Sequence, residues 1–325
     1  MPHALKPLLK RGALVTAANW PVVVALFVAD SLMKTLLLVP AAGGVLLVVL
    51  LVGGDPSDLL GTSPSQGLPA MAQVLLAHSG ALVAFLLSVL LVLAGGALLM
   101  VLAKGGAVAV LIAGERAAGS IEEPPLRLSA IQRAAAFSLE RFTRGSEALF
   151  AAYVRLGLVL ALVYAVTMLG YLTLVFGPGP AIADWPVLAG AASLGLIAWF
   201  TIVNFIYLQF QIVMGATGCG VRAAAPPVWR LLTRDARAMW TTFGAILIMV
   251  LLAAAGSILA TAALGLIGFV PLVGLAVLPL QFVAWVVRGL VFQLIDLTAL
   301  VAYLHVFRAG TEVVAATGES TASVP

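Results

Sequence analysis

The sequence predicts an all-α integral membrane protein, a six-transmembrane-helix bundle of N-in/C-in topology. Three observations carry that expectation. First, 63% of the 325 residues are hydrophobic and only 9% are charged, against about 25% charged in ordinary globular chains. Second, apolar segments recur at about 20–52, 79–113, 147–176, 186–217, 241–270 and 278–308, each reaching the ~20 residues that a spanning helix needs. Third, Lys and Arg occupy every other connecting loop and are missing from the rest, the positive-inside pattern of a chain with both termini in the cytoplasm. Residues 1–309 therefore read as a single polytopic membrane domain. Residues 310–325, rich in small and polar side chains, read as a disordered cytoplasmic tail.

The N-terminal stretch carries Lys6, Lys10 and Arg11 ahead of the first apolar run. It imitates a signal peptide, and Val39-Pro40-Ala41 imitates a cleavage site. The run is too long for a signal h-region and holds Asp30 and Lys34, so it reads as a retained first helix. Continuous from Trp20 to Val52, that helix would be about 50 Å long against a hydrocarbon core of ~30 Å. Pro40, Gly43 and Gly44 offer a place for it to kink or break.

The second helix leads into a loop with Arg116, Arg127, Arg133, Arg141 and Arg144. The fourth leads into one with Arg222, Arg230, Arg234 and Arg237, and Arg308 closes the sixth. The outer loops, including the long one at 53–78, offer Asp55, Asp58 and Asp184 and no cation. Trp20 and Trp240 mark inner helix starts, and Trp185 and Trp285 outer ones, as interfacial aromatics do. Trp199 lies deeper and reads as a packing residue. The sixth helix is expected to begin near Pro279, leaving 270–278 as an outer turn or a half-buried segment.

Residues 126–150 interleave Ile131, Ala134, Ala135, Phe142 and Leu149 with Arg127, Arg133, Glu140, Arg141 and Arg144. That periodicity fits a cytoplasmic amphipathic helix on the membrane interface, and fits equally an extension of the third crossing. Residues 226–240 read as a shorter version and residues 3–15 as a third. The chain then divides into three helical-hairpin units, each an interfacial helix followed by an outward and a return crossing. The units open with Leu9-Lys10-Arg11-Gly12, Thr143-Arg144-Gly145 and Thr233-Arg234-Asp235, and close with Arg116-Ala117-Ala118, Arg222-Ala223-Ala224 and Arg308-Ala309-Gly310. Positive-inside selection alone puts arginines at those ends, so a true repeat and a threefold topology account for them equally.

A few charges remain inside the apolar runs. Arg288 lies at the outer interface, where its long stem lets the guanidinium reach water. The other five, Asp30, Lys34, Lys104, Arg155 and Asp296, fall near one depth and form the candidate substrate-binding set. A charge near the bilayer centre costs at least ~2.5–3.5 kcal/mol, so each needs a partner, water or a role. Asp30 and Lys34 are one helical turn apart and can neutralise each other. Lys104 and Asp296 each precede an inner-end arginine by twelve residues, about 18 Å of helix, and can pair across the bundle. Gln209 and Gln211 lie at about that depth, with Asn204 further out, and Arg155 has no obvious partner. These residues read either as a polar cavity for an anionic or amphiphilic substrate, or as interhelical polar contacts that fix register.

No catalytic residues and no cofactor are expected. The chain lacks His-Glu-x-x-His, Gly-x-Ser-x-Gly, Gly-x-x-x-x-Gly-Lys and Cys-x-x-Cys, the patterns that bring metal, nucleophile, phosphate or redox chemistry together. His3, His78 and His305 are too scattered for a metal site. Cys219, alone, excludes an intramolecular disulfide and reads as a small buried thiol. The net charge of +4 is the orientation signal itself, and with no basic stripe carrying interleaved aromatics no nucleic-acid partner is expected. Gly95-Gly96 and Gly105-Gly106 in the second helix, and the ridge Ala253, Ser257, Thr261 and Gly265 in the fifth, favour close helix packing. The functional expectation is a transporter, or a membrane subunit of a transport system, in a bacterial inner membrane. Its partner is the lipid bilayer, with anionic lipids at the inner interface. The alternative is a non-catalytic scaffold whose basic inner loops hold anionic lipids or a cytoplasmic protein; homo-oligomerisation is left open.

Overall fold

The computed structural model describes residues 5–52, 76–176, 185–234, 236–268 and 273–321, with some side chains near helix ends outside the description. Among the described residues the chain is helical and has no strand. The helices are α1 (Leu5–Ala18), α2 (Trp20–Val52), α3 (Ser79–Ala117), α4 (Leu128–Ala134), α5 (Leu139–Phe176), α6 (Pro186–Thr217), α7 (Val221–Arg234), α8 (Ala236–Gly268) and α9 (Val273–Thr321). Six of them, α2, α3, α5, α6, α8 and α9, are long and apolar enough to cross a membrane. Their outward faces carry large apolar side chains such as Leu91, Val187 and Leu266, each more than 70% exposed. Water tolerates no apolar surface of that extent on a soluble monomer, and a helix satisfies its own backbone in lipid. The chain is a multi-pass membrane protein.

Several boundaries differ from the sequence expectation. Helix α2 runs unbroken through Pro40, so the proline removes one backbone donor without ending the helix. Helix α9 starts at Val273, with Pro279 inside it rather than at its first turn. Its backbone stays helical to Thr321, and the last tail residues, 322–325, lie outside the described residues. So do 53–75 and 177–184, with the expected outer-loop acids Asp55, Asp58 and Asp184, and so does Asp235.

The expected helix over 126–150 is two helices, and the reason is Asn19. Fully buried between α1 and α2, it donates from Nδ2 to Ala134 O at 2.8 Å and accepts the Ala136 N–H at Oδ1 at 2.8 Å. A helix end leaves carbonyls and N–H groups without intrahelical partners. Here one amide side chain satisfies one of each, so α4 stops and α5 restarts at Leu139 and runs directly into its crossing. At the end of α6 the device is different. Gly218 adopts φ +71° and returns its N–H to Met214 O at 2.8 Å, the left-handed cap that glycine adopts without strain. Helix α7 follows, burying Ala224, Val228 and Leu231 on one face and exposing Arg222, Trp229, Arg230 and Arg234.

By its contacts the chain forms two compact units, one of residues 26–103 and one of 1–25 with 104–325. The first is a hairpin of α2 and α3. A Cβ on Gly96 would stand 2.7 Å from Met33 Cγ and one on Gly44 would stand 2.5 Å from Phe85 Cε2. In the second, α1 and α8 both pack along α9. Thr298 O would lie 2.6 Å from a Cβ on Gly12, so α1 reaches α9 backbone to backbone. Helices α3 and α5 meet at Gly105 and Gly106, where an added Cβ would come 3.3 Å from Ser146 Cα and 2.7 Å from Phe142 O. The core of this unit is the middle of α9, where Leu297, Leu300, Val301 and Leu304 are buried and which α1 and α6 contact. In lipid such contacts act through close packing rather than water exclusion. The α8 ridge behaves otherwise: among the described residues no neighbouring element comes within 4 Å of a Cβ built on Gly265, and Thr261 is exposed and donates to Ser257 O. Near the start of α8 Met239 is buried, and Trp240 and Phe243 pack on Phe205.

Candidate functional site

Two of the five candidate charges meet as the depth count anticipates. Lys104 Nζ of α3 stands 3.9 Å from Asp296 Oδ2 of α9, an ion pair but longer than a hydrogen bond. Both side chains remain partly open, 31% and 43% exposed. They line a cavity of about 430 Å³ between α3, α6, α8 and α9. Phe205, Leu208, Phe243, Ile246 and Phe292 supply an apolar wall, and Asn204, Gln211 and Gln293 add polar groups beside the pair. Gln211 is 1% exposed and its Oε1 has no hydrogen-bond partner among the described residues. Gln209, one face over on α6, is fully buried with neither side-chain atom partnered. A buried amide without a partner costs ~1–3 kcal/mol, so such groups mark places where the fold retains polarity for a reason.

The other three candidates are not among the residues that line this cavity. Asp30 and Lys34 belong to the hairpin unit, where Lys34 Nζ donates to Asp30 Oδ2 at 2.5 Å. Arg155 is exposed on α5, without a hydrogen bond or ion pair among the described residues, and does not line the cavity. Arg288 stacks over Phe292, 5.9 Å from the ring centroid. Cys219 is half-buried rather than buried, taking a hydrogen bond from Thr217 Oγ1 at 3.0 Å. Trp199 is 47% exposed but tied to α5, donating to Thr167 Oγ1. Among the described residues no group of His, Cys, Asp and Glu is arranged to hold a metal ion.

A second charged cluster is absent from the sequence expectation. Glu115, at the end of α3, has a side chain only 3% exposed. Its Oε1 accepts from Arg11 Nη2 at 3.1 Å and lies 3.1 Å from His305 Nδ1. Its Oε2 accepts from Arg308 Nη1. Arg11 is itself buried, and also donates to Glu122 Oε2 at 2.8 Å and to Gly119 O. Lys10 Nζ donates to Glu122 O at 2.8 Å. Three distant stretches, α1, the end of α3 and the turn of α9 that holds His305 and Arg308, are thus tied at one carboxylate. Arg11 and Arg308, which composition explains as orientation signals, serve here as its counter-ions. One sequence signal pointed to it: a glutamate in the last turn of an apolar helix opposes the negative end of the helix dipole, and needs cations nearby.

Compared with known protein families, curated proteins and solved structures, the chain shows no match.

Proposed function

We propose that this chain is a transporter, or the membrane subunit of a transport system, that holds an anionic or amphiphilic solute in the cavity beside Lys104 and Asp296. One observation carries the reading. A cation and an anion share one cavity wall at 3.9 Å without closing into a hydrogen bond, and Gln211 sits in the same wall with an unpartnered carbonyl. Polar groups at membrane depth are expensive, and they are kept where they meet a solute, an ion or water. The apolar wall suits the body of an amphiphile and the polar side its head.

The orientation belongs to the same proposal. Both termini lie in the cytoplasm, with α1, α4 and α7 on the inner interface of a bacterial inner membrane. The loop cations support this, as does the exposure of Arg222, Arg230 and Arg234 opposite a buried apolar face on α7. Among the described residues a short helix followed by two long ones recurs three times, which supports a threefold repeat.

The test is accessibility of single cysteines to a membrane-impermeant thiol reagent, in a Cys219→Ser background. Lys104→Cys and Asp296→Cys should be labelled, and Ala130→Cys and Arg230→Cys should react from the cytoplasmic face alone. Protection of both 104 and 296 would sink the transport reading. It would favour the scaffold alternative instead, for which the exposed arginines of α7 and of the connector before α5 speak.

A further inference from the structure

The connector between α3 and α5 holds a second cavity, of about 200 Å³, which shares no lining residue with the one above. Its wall includes Ser120, Glu123, Arg127 and Arg133. Arg127, Arg133 and Glu123 are exposed, and none of these side chains makes a hydrogen bond or ion pair among the described residues. Opposite charges that border one small space usually close on each other. Here they stay apart, which leaves room for a group that is negative at one end and positive at the other. The connector is also held in place: Arg11 donates to Gly119 O and Glu122 Oε2, and Lys10 to Glu122 O. The cavity is therefore preformed, and binding there orders little additional chain. At its rim Leu126 and Leu128, flanking Arg127, are 54% and 70% exposed, as apolar side chains entering a lipid surface would be.

We propose that this cavity binds the head group of an amine-bearing phospholipid. The phosphate sits on Arg127 and Arg133, whose guanidinium groups offer paired donors to phosphate oxygens. The primary ammonium sits on Glu123. The exposed leucines favour a lipid over a soluble phosphate ester, because only a lipid brings acyl chains to the rim. The carboxylate sets the selectivity. Phosphatidylethanolamine presents N–H donors to Glu123, phosphatidylcholine has none, and phosphatidylglycerol has no cation at all.

The experiment uses the full chain in detergent, incubated with an equimolar mixture of dioleoyl-phosphatidylethanolamine, -choline and -glycerol, with the retained lipid measured by native mass spectrometry. Wild type should enrich ethanolamine over choline lipid about tenfold, which one charge-assisted hydrogen bond supplies. Glu123→Gln should abolish that preference and leave glycerol lipid retained. The pair Arg127→Ala/Arg133→Ala should lower retention of ethanolamine and glycerol lipids alike. Should that pair fail to elute as a single species, Arg127→Lys/Arg133→Lys replaces it, expected to keep the charge and to lose part of the retention of both lipids alike while the ethanolamine-over-choline preference set by Glu123 persists. Equal retention of all three lipids by wild type would overturn the proposal. So would an unchanged ethanolamine preference in Glu123→Gln, or displacement of the lipid by equimolar free phosphoethanolamine, which would make the ligand a soluble ester.

Discussion

Replacing Glu115 by alanine would leave the Arg11 and Arg308 guanidinium groups facing one another with no carboxylate between them. The cost follows from exposure. The Arg11 side chain is 8% exposed and cannot be rehydrated without moving α1 off α9, whereas Arg308 and His305, at 28% and 27%, can turn toward water. Removing one partner of a buried ion pair costs ~3–5 kcal/mol. Because Arg11 keeps Glu122 at 2.8 Å, the lower end applies, about 3 kcal/mol. At roughly 2 °C per kcal/mol for a chain of this size, thermal unfolding followed by tryptophan fluorescence in detergent should fall by about 6 °C. Arg11→Met should cost a similar amount. The double variant Arg11→Met/Glu115→Leu, which removes charge and counter-charge together, should recover about 2 kcal/mol relative to the sum of the singles. Additivity within about 0.5 kcal/mol would refute the coupling, and with it the account of these side chains as one ionic unit.

Three further outcomes follow from the same contacts. Asn19→Ala frees Ala134 O and the Ala136 N–H; at ~1–3 kcal/mol per stranded group, hydrogen exchange at 134–138 should accelerate by at least about tenfold, while exchange in α6 stays unchanged. Gly106→Val drives a side chain into Phe142 O, 2.7 Å from the new Cβ, whereas Gly95→Ala in the same helix meets nothing within 4 Å. The first should cost more than ~3 kcal/mol, and the second should gain up to ~1 kcal/mol from helix propensity, read as opposite shifts in unfolding temperature. Lys104→Asp should lower stability and Lys104→Asp/Asp296→Lys should restore it in the same melting assay; no restoration would mean the two charges do not interact.

What the sequence makes legible here is what depends on counting along the chain. Six apolar runs of membrane length need no tertiary information, and the Asp30–Lys34 pair needs only the four-residue helical turn. Lys104 and Asp296 each lie twelve residues before an arginine of the positive-inside pattern, Arg116 and Arg308, a register that translates into equal depth. Glu115 is a different kind of fact. Its partners lie 104 and 193 residues away, and residue types alone assign those arginines to topology. The break after α4 is likewise set by Asn19, 115 residues earlier, so the periodicity across 126–150 could not reveal it. Pro279 misleads for a local reason. Proline is welcome in the first turn of a helix but is tolerated deeper when neighbouring structure compensates for the missing donor.

Helices α3 and α9 are joined at two levels, and the levels differ in how firmly they are closed. Glu115 engages His305 and Arg308 in a buried set. Lys104 engages Asp296 loosely, beside a cavity. Eleven residues of α3, about 16 Å, separate them, and between them Val108, Leu111, Leu300 and Leu304 are all buried. On the transport reading proposed above, solute passing this seam would have to release the Glu115 level before the apolar layer could part, since a buried carboxylate gives up cations only at a high cost. Removing a single counter-ion should therefore change access without unfolding the chain. Arg308→Met leaves Arg11 on Glu115, so the fold should persist, while a cysteine at position 104 should react faster with an impermeant reagent supplied from the α1 side. An increase of about tenfold corresponds to ~1.4 kcal/mol of loosening, within the range for one partly exposed charged hydrogen bond. If the rate does not move while Glu115→Ala still lowers the melting temperature, the cluster is a fixed staple and the seam is not a route.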